Sequence, residues 1–284
     1  MRRETAHRLT LFLAVLLLAG CATVPMTGRK QLSLVSGSEV NGLAATEYGK
    51  FLKENPPVQG TPDAASVERV GRRIQAAVES YMGKHEYADL LKGYAWQFHL
   101  VDDKEVNAWC MPGGRVVVYS GLLPITQDET GLAVVMGHEV AHAIAQHGAE
   151  RMSQQLATQL GGVARGVALS TKSAETQALA MAAFGAGSTV GILLPFSRAQ
   201  ESEADRMGIN FMAIAGYDPR ASIGLWQRMA AAAKGAGKPP VFLSTHPSDE
   251  QRIERLKQDM PEALKRYEKA TGQAVKPKEK KKSK

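Results

Sequence analysis

His138, Glu139 and His142 occur in the order His-Glu-Val-Ala-His within an unbroken helical run. Residues four apart share a helix face, so the two imidazoles point the same way. Imidazoles one turn apart can both reach a single metal ion at about 2.0–2.1 Å. Glu139, one residue on, is placed to touch a water at that ion without ligating it. The chemistry served by this spacing is metal-assisted hydrolysis, with Glu139 as general base. The competing reading is an amphipathic helix with two surface histidines, and it explains none of the partners that follow.

A catalytic zinc takes three protein ligands and keeps a fourth position open. Ala145 and Gly148 stand where one downstream solution needs glycine and histidine, so that solution is out. His147 lies five residues past His142, off the ligand face, and reads as structural or surface. A second helix offers a better source. Ser197 and Gln200 form a capping-box pair, and the run should continue to a C-cap at Gly216. Glu201, Asp205 and Gly208 then share one face, with Glu203 roughly opposite as a solvated charge. Glu201 is the expected third ligand and Asp205 the acceptor for a histidine N–H. Gly208 lets this helix approach the histidine helix closely. Two imidazoles and a carboxylate suit zinc best, one ion per chain.

The elements that must position these residues are legible in outline. Thr126 with Glu129 reads as a capping box for the histidine helix. Ser36 with Glu39 and Thr61-Pro62 open two earlier helices that carry no nameable chemistry. Residues 94–100 alternate as a strand with Trp96, Phe98 and Leu100 on one side, leaving His99 as a surface histidine. Arg115–Tyr119 is a second strand after the Pro112-Gly113-Gly114 turn. Substrate backbone is expected to pair along Asn107, Ala108 and Val116, Val117 and Val118. Pro219 to Ala233 is an amphipathic helix, and Ser248 with Gln251 caps another. His246 sits in the loop before it, close enough in order to donate to an oxyanion or occupy the open metal position.

At this point the chain resembles metallopeptidase family forty-eight, the group of the HtpX and CAAX prenyl proteases. The resemblance rests on His138 to His142, Glu201 to Asp205, Asn107-Ala108, Pro112 to Gly114, Val116 to Leu123 and Ser244-Thr245-His246-Pro247. Pro25 to Leu32 is similar to the bacterial lipoprotein branch that contains BepA and LoiP, without the tetratricopeptide repeats. The resemblance implies an α+β fold: a mostly helical zincin-type (gluzincin) domain with a small sheet beside the active-site helix. It also implies an endopeptidase acting on misfolded or unassembled envelope proteins, and it favours proximity of His246 to the zinc.

Residues 1–20 read as a lipoprotein signal peptide, with Arg2, Arg3 and Arg8 before an apolar stretch too short to span a bilayer. Leu18-Ala19-Gly20-Cys21 resembles a lipobox, which implies lipidation of Cys21. Ala22 then favours an outer-membrane protein facing the periplasm, attached to the membrane through its lipid. Residues 21–35 are an extended leader, 36–270 the catalytic domain and 271–284 a lysine-rich tail. The net charge of +7 is accounted for by the two ends, at +2 and +5, so the body is near neutral and no nucleic-acid surface is expected. With Cys21 lipidated, Cys110 is left to behave as a small buried hydrophobe rather than a nucleophile. The uncharged run 177–197 reads as buried or groove-lining helix rather than a span. The alternative function is a non-proteolytic, zinc-containing chaperone or assembly factor for outer-membrane proteins. A structural zinc, however, has no need of Glu139.

Overall fold

The computed structural model describes residues 21–163, 196–235, 240–246 and 251–274. The signal segment 1–20, the uncharged residues 177–195, Ser248 and the lysine-rich end from 275 lie outside the described residues. No helix among the described residues is long and apolar enough to cross a membrane.

The expected extended leader is instead a hairpin. β1 (Cys21–Thr23) pairs antiparallel with β2 (Lys30–Leu32). Val24 and Val35 are buried against the body, because apolar residues at this spacing have a core to join. α1 (Gly37–Glu54) and α2 (Pro62–Lys84) begin where their caps dictate, with Ser36 accepting from Glu39 N and Thr61 from Ala64 N.

The sheet has three strands in the order β3 (Gln97–Val101), β5 (Arg115–Tyr119), β4 (Ala108–Met111). β3 and β5 run parallel, while β4 and β5 form an antiparallel hairpin. Phe98 and Leu100 enter the main core. His99 faces the other way but is half-buried, with Nδ1 at 2.8 Å from the Tyr48 hydroxyl, so it is not the surface histidine expected. β5 is the middle strand. Its ladders are filled on both sides, so Val116, Val117 and Val118 cannot pair with a substrate.

A short turn, α3 (Leu123–Thr126), leads into α4 (Glu129–Ile144), which carries both histidines. Its cap is Asp128, whose carboxylate accepts from Gly131 N at 2.7 Å. The Thr126 hydroxyl is spent on the Leu123 carbonyl, which is why the expected capping box is absent. α5 (His147–Val163) follows at once, and α6 (Arg198–Ile214) carries the carboxylates behind the expected Ser197–Gln200 capping box. α6 ends at Ala215 with Gly216 at φ +79°, a left-handed residue as expected for a C-terminal glycine. α7 (Ala221–Gly235), the short α8 (Val241–Thr245) and α9 (Arg252–Thr271) close over the far side.

α4 and α6 are pressed together at two glycines. A Cβ on Gly208 would lie 2.9 Å from His138 N, and one on Gly137 would lie 2.9 Å from the Gly208 carbonyl. The close approach read from Gly208 is therefore present, and it sets the distance between histidines and glutamate. α4 is buried nearly throughout, beneath a core that includes Leu132, Val135, Met136, Met207 and Phe211. Burial on this scale, about 25 cal/mol per Å² of apolar surface, makes the helix a rigid mount.

Candidate metal centre

One polar cluster interrupts that core. His138, His142, Glu201 and His246 each offer one ligand atom, all within 4.8 Å of one another and all buried. His138 Nε2 is 3.1 Å from His142 Nε2, and Glu201 Oε1 is 3.3 Å from His142 Nε2. His246 Nδ1 completes the group at 3.3 Å from His138 Nε2 and 3.0 Å from Glu201 Oε1. Donors at the corners of a tetrahedron with bonds of about 2.0–2.1 Å stand roughly 3.3–3.4 Å apart. The cluster has that size. Imidazole nitrogens with a carboxylate oxygen are zinc donors, so the residues present fit the ion.

The partners behind the donors set their tautomers. His138 Nδ1 lies 3.0 Å from Asp205 Oδ1, so the proton is on Nδ1 and Nε2 is free to donate its lone pair. Asp205 is therefore within hydrogen-bond reach of the His138 N–H. Its carboxylate is also gripped by Arg252, at 2.7 Å from Nε and 2.6 Å from Nη2. Arg252 is wholly buried, stacks over the Trp226 ring at 3.2 Å and places Nη1 3.3 Å from Glu201 Oε2. Sequence reasoning missed this residue. An arginine at the start of a charged helix gives no signal that it points inward.

One further expectation is corrected: Glu203 is not a solvated charge. Of the two readings for His147, structural or surface, its full burial matches the structural one. His147 Nε2 meets Glu203 Oε2 at 2.9 Å, and His147 Nδ1 meets His142 Nδ1 at 2.8 Å. Glu203 is held from its other side by Thr27 and Arg29 of the N-terminal hairpin. Groups that no helical wheel joins are brought together by tertiary packing.

Electrostatics follow the same geometry. Burial alone would lower the His138 pKa, but Glu201 and Asp205 outweigh it and raise it to about 9. Burial dominates at His142 and holds it well below the usual imidazole range. Burial would also raise Glu201, yet its histidine neighbours keep it well below the carboxylate range. Glu139 is pushed up by burial, and its Oε1 accepts no hydrogen bond; His246 Nε2 stands 3.5 Å away. A bare carboxylate oxygen beside the donor cluster is what a general base needs. Desolvation raises the Cys110 thiol pKa well above its ordinary value, which disfavours the thiolate a nucleophile needs.

The cluster opens on a cavity of about 410 Å³ whose walls include Glu139, His142, His246, Phe196 and strand β4. Phe196 lies against His142 with ring centroids 3.9 Å apart. β4 is the edge strand on this side. Asn107 O bonds Tyr119 N, so by alternation the backbone of Ala108 and Cys110 faces outward. Ala108 thus lies on the edge strand, whereas Asn107 is bonded to Tyr119 through its carbonyl and the valines of β5 lie in the middle of the sheet.

Residues 68–260, more than half of the chain, match the profile of peptidase family M48. The chain belongs to that family. It is 34% identical over 84% of its length to the protein named mitochondrial metalloendopeptidase OMA1 of Schizosaccharomyces pombe, of which the match covers 66%. The mitochondrial metalloendopeptidase OMA1 of Bos taurus is 33% identical over 85% of the chain and 46% of that protein. A putative beta-barrel assembly-enhancing protease of Vibrio cholerae is 32% identical over 75% of the chain and 43% of that protein. The chain thus spans between two fifths and two thirds of the length of these relatives. Family membership agrees with the mostly helical fold and with zinc as the metal that the donor set fits. The finer expectation of a bacterial lipoprotein branch is not carried by these matches. The expected placement at a bacterial outer membrane, facing the periplasm, is overturned: the relatives matched over 84–85% of the chain are mitochondrial proteins. A four-residue lipobox-like stretch is too short to decide a compartment against them.

Proposed function

We propose that this chain is a zinc-dependent endopeptidase that cuts extended segments of misfolded or unassembled proteins at a membrane. The observation carrying the reading is the bare, buried Glu139 carboxylate set beside a tetrahedral donor group. His138, His142 and Glu201 would hold the metal, with Asp205 and Arg252 fixing His138 and Glu201 from behind. Zinc bound there supplies Lewis acidity toward a carbonyl oxygen and toward water. Glu139 takes the proton from the attacking water on its free oxygen and delivers it to the leaving amine. The outward Ala108 carbonyl and the outward backbone groups of Cys110 pair with the substrate as an added strand, the Ala108 N–H being taken by Asn107 Oδ1 at 3.0 Å.

His246 Nδ1 stands at the fourth corner of the donor group, where it would contest the open metal position with water. The names of the bacterial relatives, beta-barrel assembly-enhancing proteases, support unassembled proteins as substrates. Incubation of the zinc-loaded protein with unfolded casein tests the reading. Cleavage that stops on chelation and returns with zinc supports it, while intact casein held in a stable complex would favour a chaperone.

A further inference from the structure

The N-terminal hairpin reaches the metal centre through a chain of side chains with one consistent proton assignment. The two facing nitrogens, His142 Nδ1 and His147 Nδ1, are 2.8 Å apart, so one carries hydrogen and the other accepts. Suppose the hydrogen were on His147 Nδ1. His147 Nε2 would then turn a lone pair toward the Glu203 carboxylate at 2.9 Å, and His142 would put its own N–H into the donor cluster. The first contact is repulsive, and the second would leave His142 Nε2 without the lone pair a metal ligand needs. With the hydrogen on His142 Nδ1, the chain out to the hairpin closes, since His142 donates to His147 and His147 Nε2 donates to Glu203, and His142 Nε2 keeps its lone pair for a metal. Arg29 Nε then donates to the same Glu203 oxygen at 2.7 Å, and the Thr27 hydroxyl to the other.

The hairpin also grips the corner that carries His142. Gln31 Nε2 donates to the Ala145 carbonyl at 2.9 Å, just after α4 ends, and Arg29 forks onto Glu150 of α5 at 2.7 and 2.9 Å. Gln200 Nε2 donates to the same Glu150 at 2.7 Å and ties in α6. The hairpin's own contacts join positions 114 to 176 residues apart in sequence.

We infer that Arg29, Glu203 and His147 are positioning residues that fix the tautomer and ring orientation of His142, making the hairpin a working part of the metal centre. The inference rests on the zinc-site reading above, and it concerns residues that touch neither metal nor substrate. Partners behind a ligand of this kind are worth about 10–100-fold in metal affinity.

The test is the zinc dissociation constant of the full chain, measured by competition with a chromophoric chelator, beside the visible spectrum of the cobalt-loaded protein. Glu203→Gln and His147→Ala should each weaken zinc by about 10–100-fold and shift the cobalt bands. Combined, they should cost little more than either alone, because they break the same chain. Arg29→Ala should weaken zinc and Arg29→Lys should recover part of the loss. Glu150→Gln removes the other half of the arginine fork but spares the path to His142, and should leave affinity within about twofold. Should Glu203→Gln fail to fold, His147→Ala reads the same link from its other end. Unchanged affinity and spectrum in both, or an equal loss in Glu150→Gln, would make the hairpin a mere staple and overturn the inference. A wild-type chain that takes up no zinc would overturn the site reading as well.

Discussion

His246 Nδ1 stands 3.0 Å from Glu201 Oε1, at the fourth corner of the donor group rather than beyond it. A loop histidine in that place competes with water for the position the reaction needs. His246→Ala should therefore keep its zinc, since His138, His142 and Glu201 remain, and should cut casein faster than the wild type. Loss of activity with zinc retained would instead make His246 a group that acts on the reacting carbonyl.

Asp205 fixes the proton of His138 at 3.0 Å, and its own charge is neutralised by Arg252. Asp205→Asn keeps the shape but weakens the acceptor and leaves Arg252 short of a counter-charge. Zinc affinity should fall by about 10–100-fold, read by chelator competition. A variant that binds as tightly as the wild type would remove Asp205 from the account.

Much of this was legible before any coordinates. The two histidines are one turn apart on one helix, Glu201 and Asp205 one turn apart on another, and both facts follow from helical periodicity. Gly208 announced the close packing, and Ser36, Thr61 and Ser197 cap the helices they were expected to cap. What sequence could not show was contact between distant segments. Arg252 on Asp205, and Arg29 and His147 on Glu203, are joined by tertiary packing alone. Helical spacing even argued the wrong way for Glu203, because its side of the helix is covered by a hairpin 174 residues earlier. The sheet order was hidden for a similar reason: the parallel pairing of β3 with β5 puts the valine-rich strand in the middle.

The helix contact at Gly208 can be tested by adding one methyl group. Its Cβ would meet His138 N at 2.9 Å and Gly137 C at 3.0 Å, both backbone atoms that cannot swing aside. Gly208→Ala should cost about 1–3 kcal/mol in urea unfolding and also weaken zinc, because it separates Glu201 from the histidines. Unaltered stability would mean the helices have more freedom than this packing allows.

Acid should dissolve the hairpin's grip. Burial works to raise the Glu203 and Glu150 pKa values, but hydrogen bonds from His147, Thr27, Arg29 and Gln200 outweigh it and hold both below the ordinary range. Carboxylates depressed in the folded state stabilise it fully above their unfolded pKa, about 4.3, and less as pH falls through the lower folded values. The wild type's advantage over Glu203→Gln in urea midpoint should thus be complete at pH 6 and shrink below about pH 4. An advantage independent of pH would deny the charge its role.

The most direct test of the central claim removes only the base. With His246→Ala as the background, zinc content and casein cleavage would be measured with Glu139 intact and with Glu139→Gln. Both proteins should hold one zinc per chain, and the glutamine variant should be slower by at least about 10²–10⁴-fold. Equal cleavage by the two would contradict a metallopeptidase in which Glu139 moves the proton.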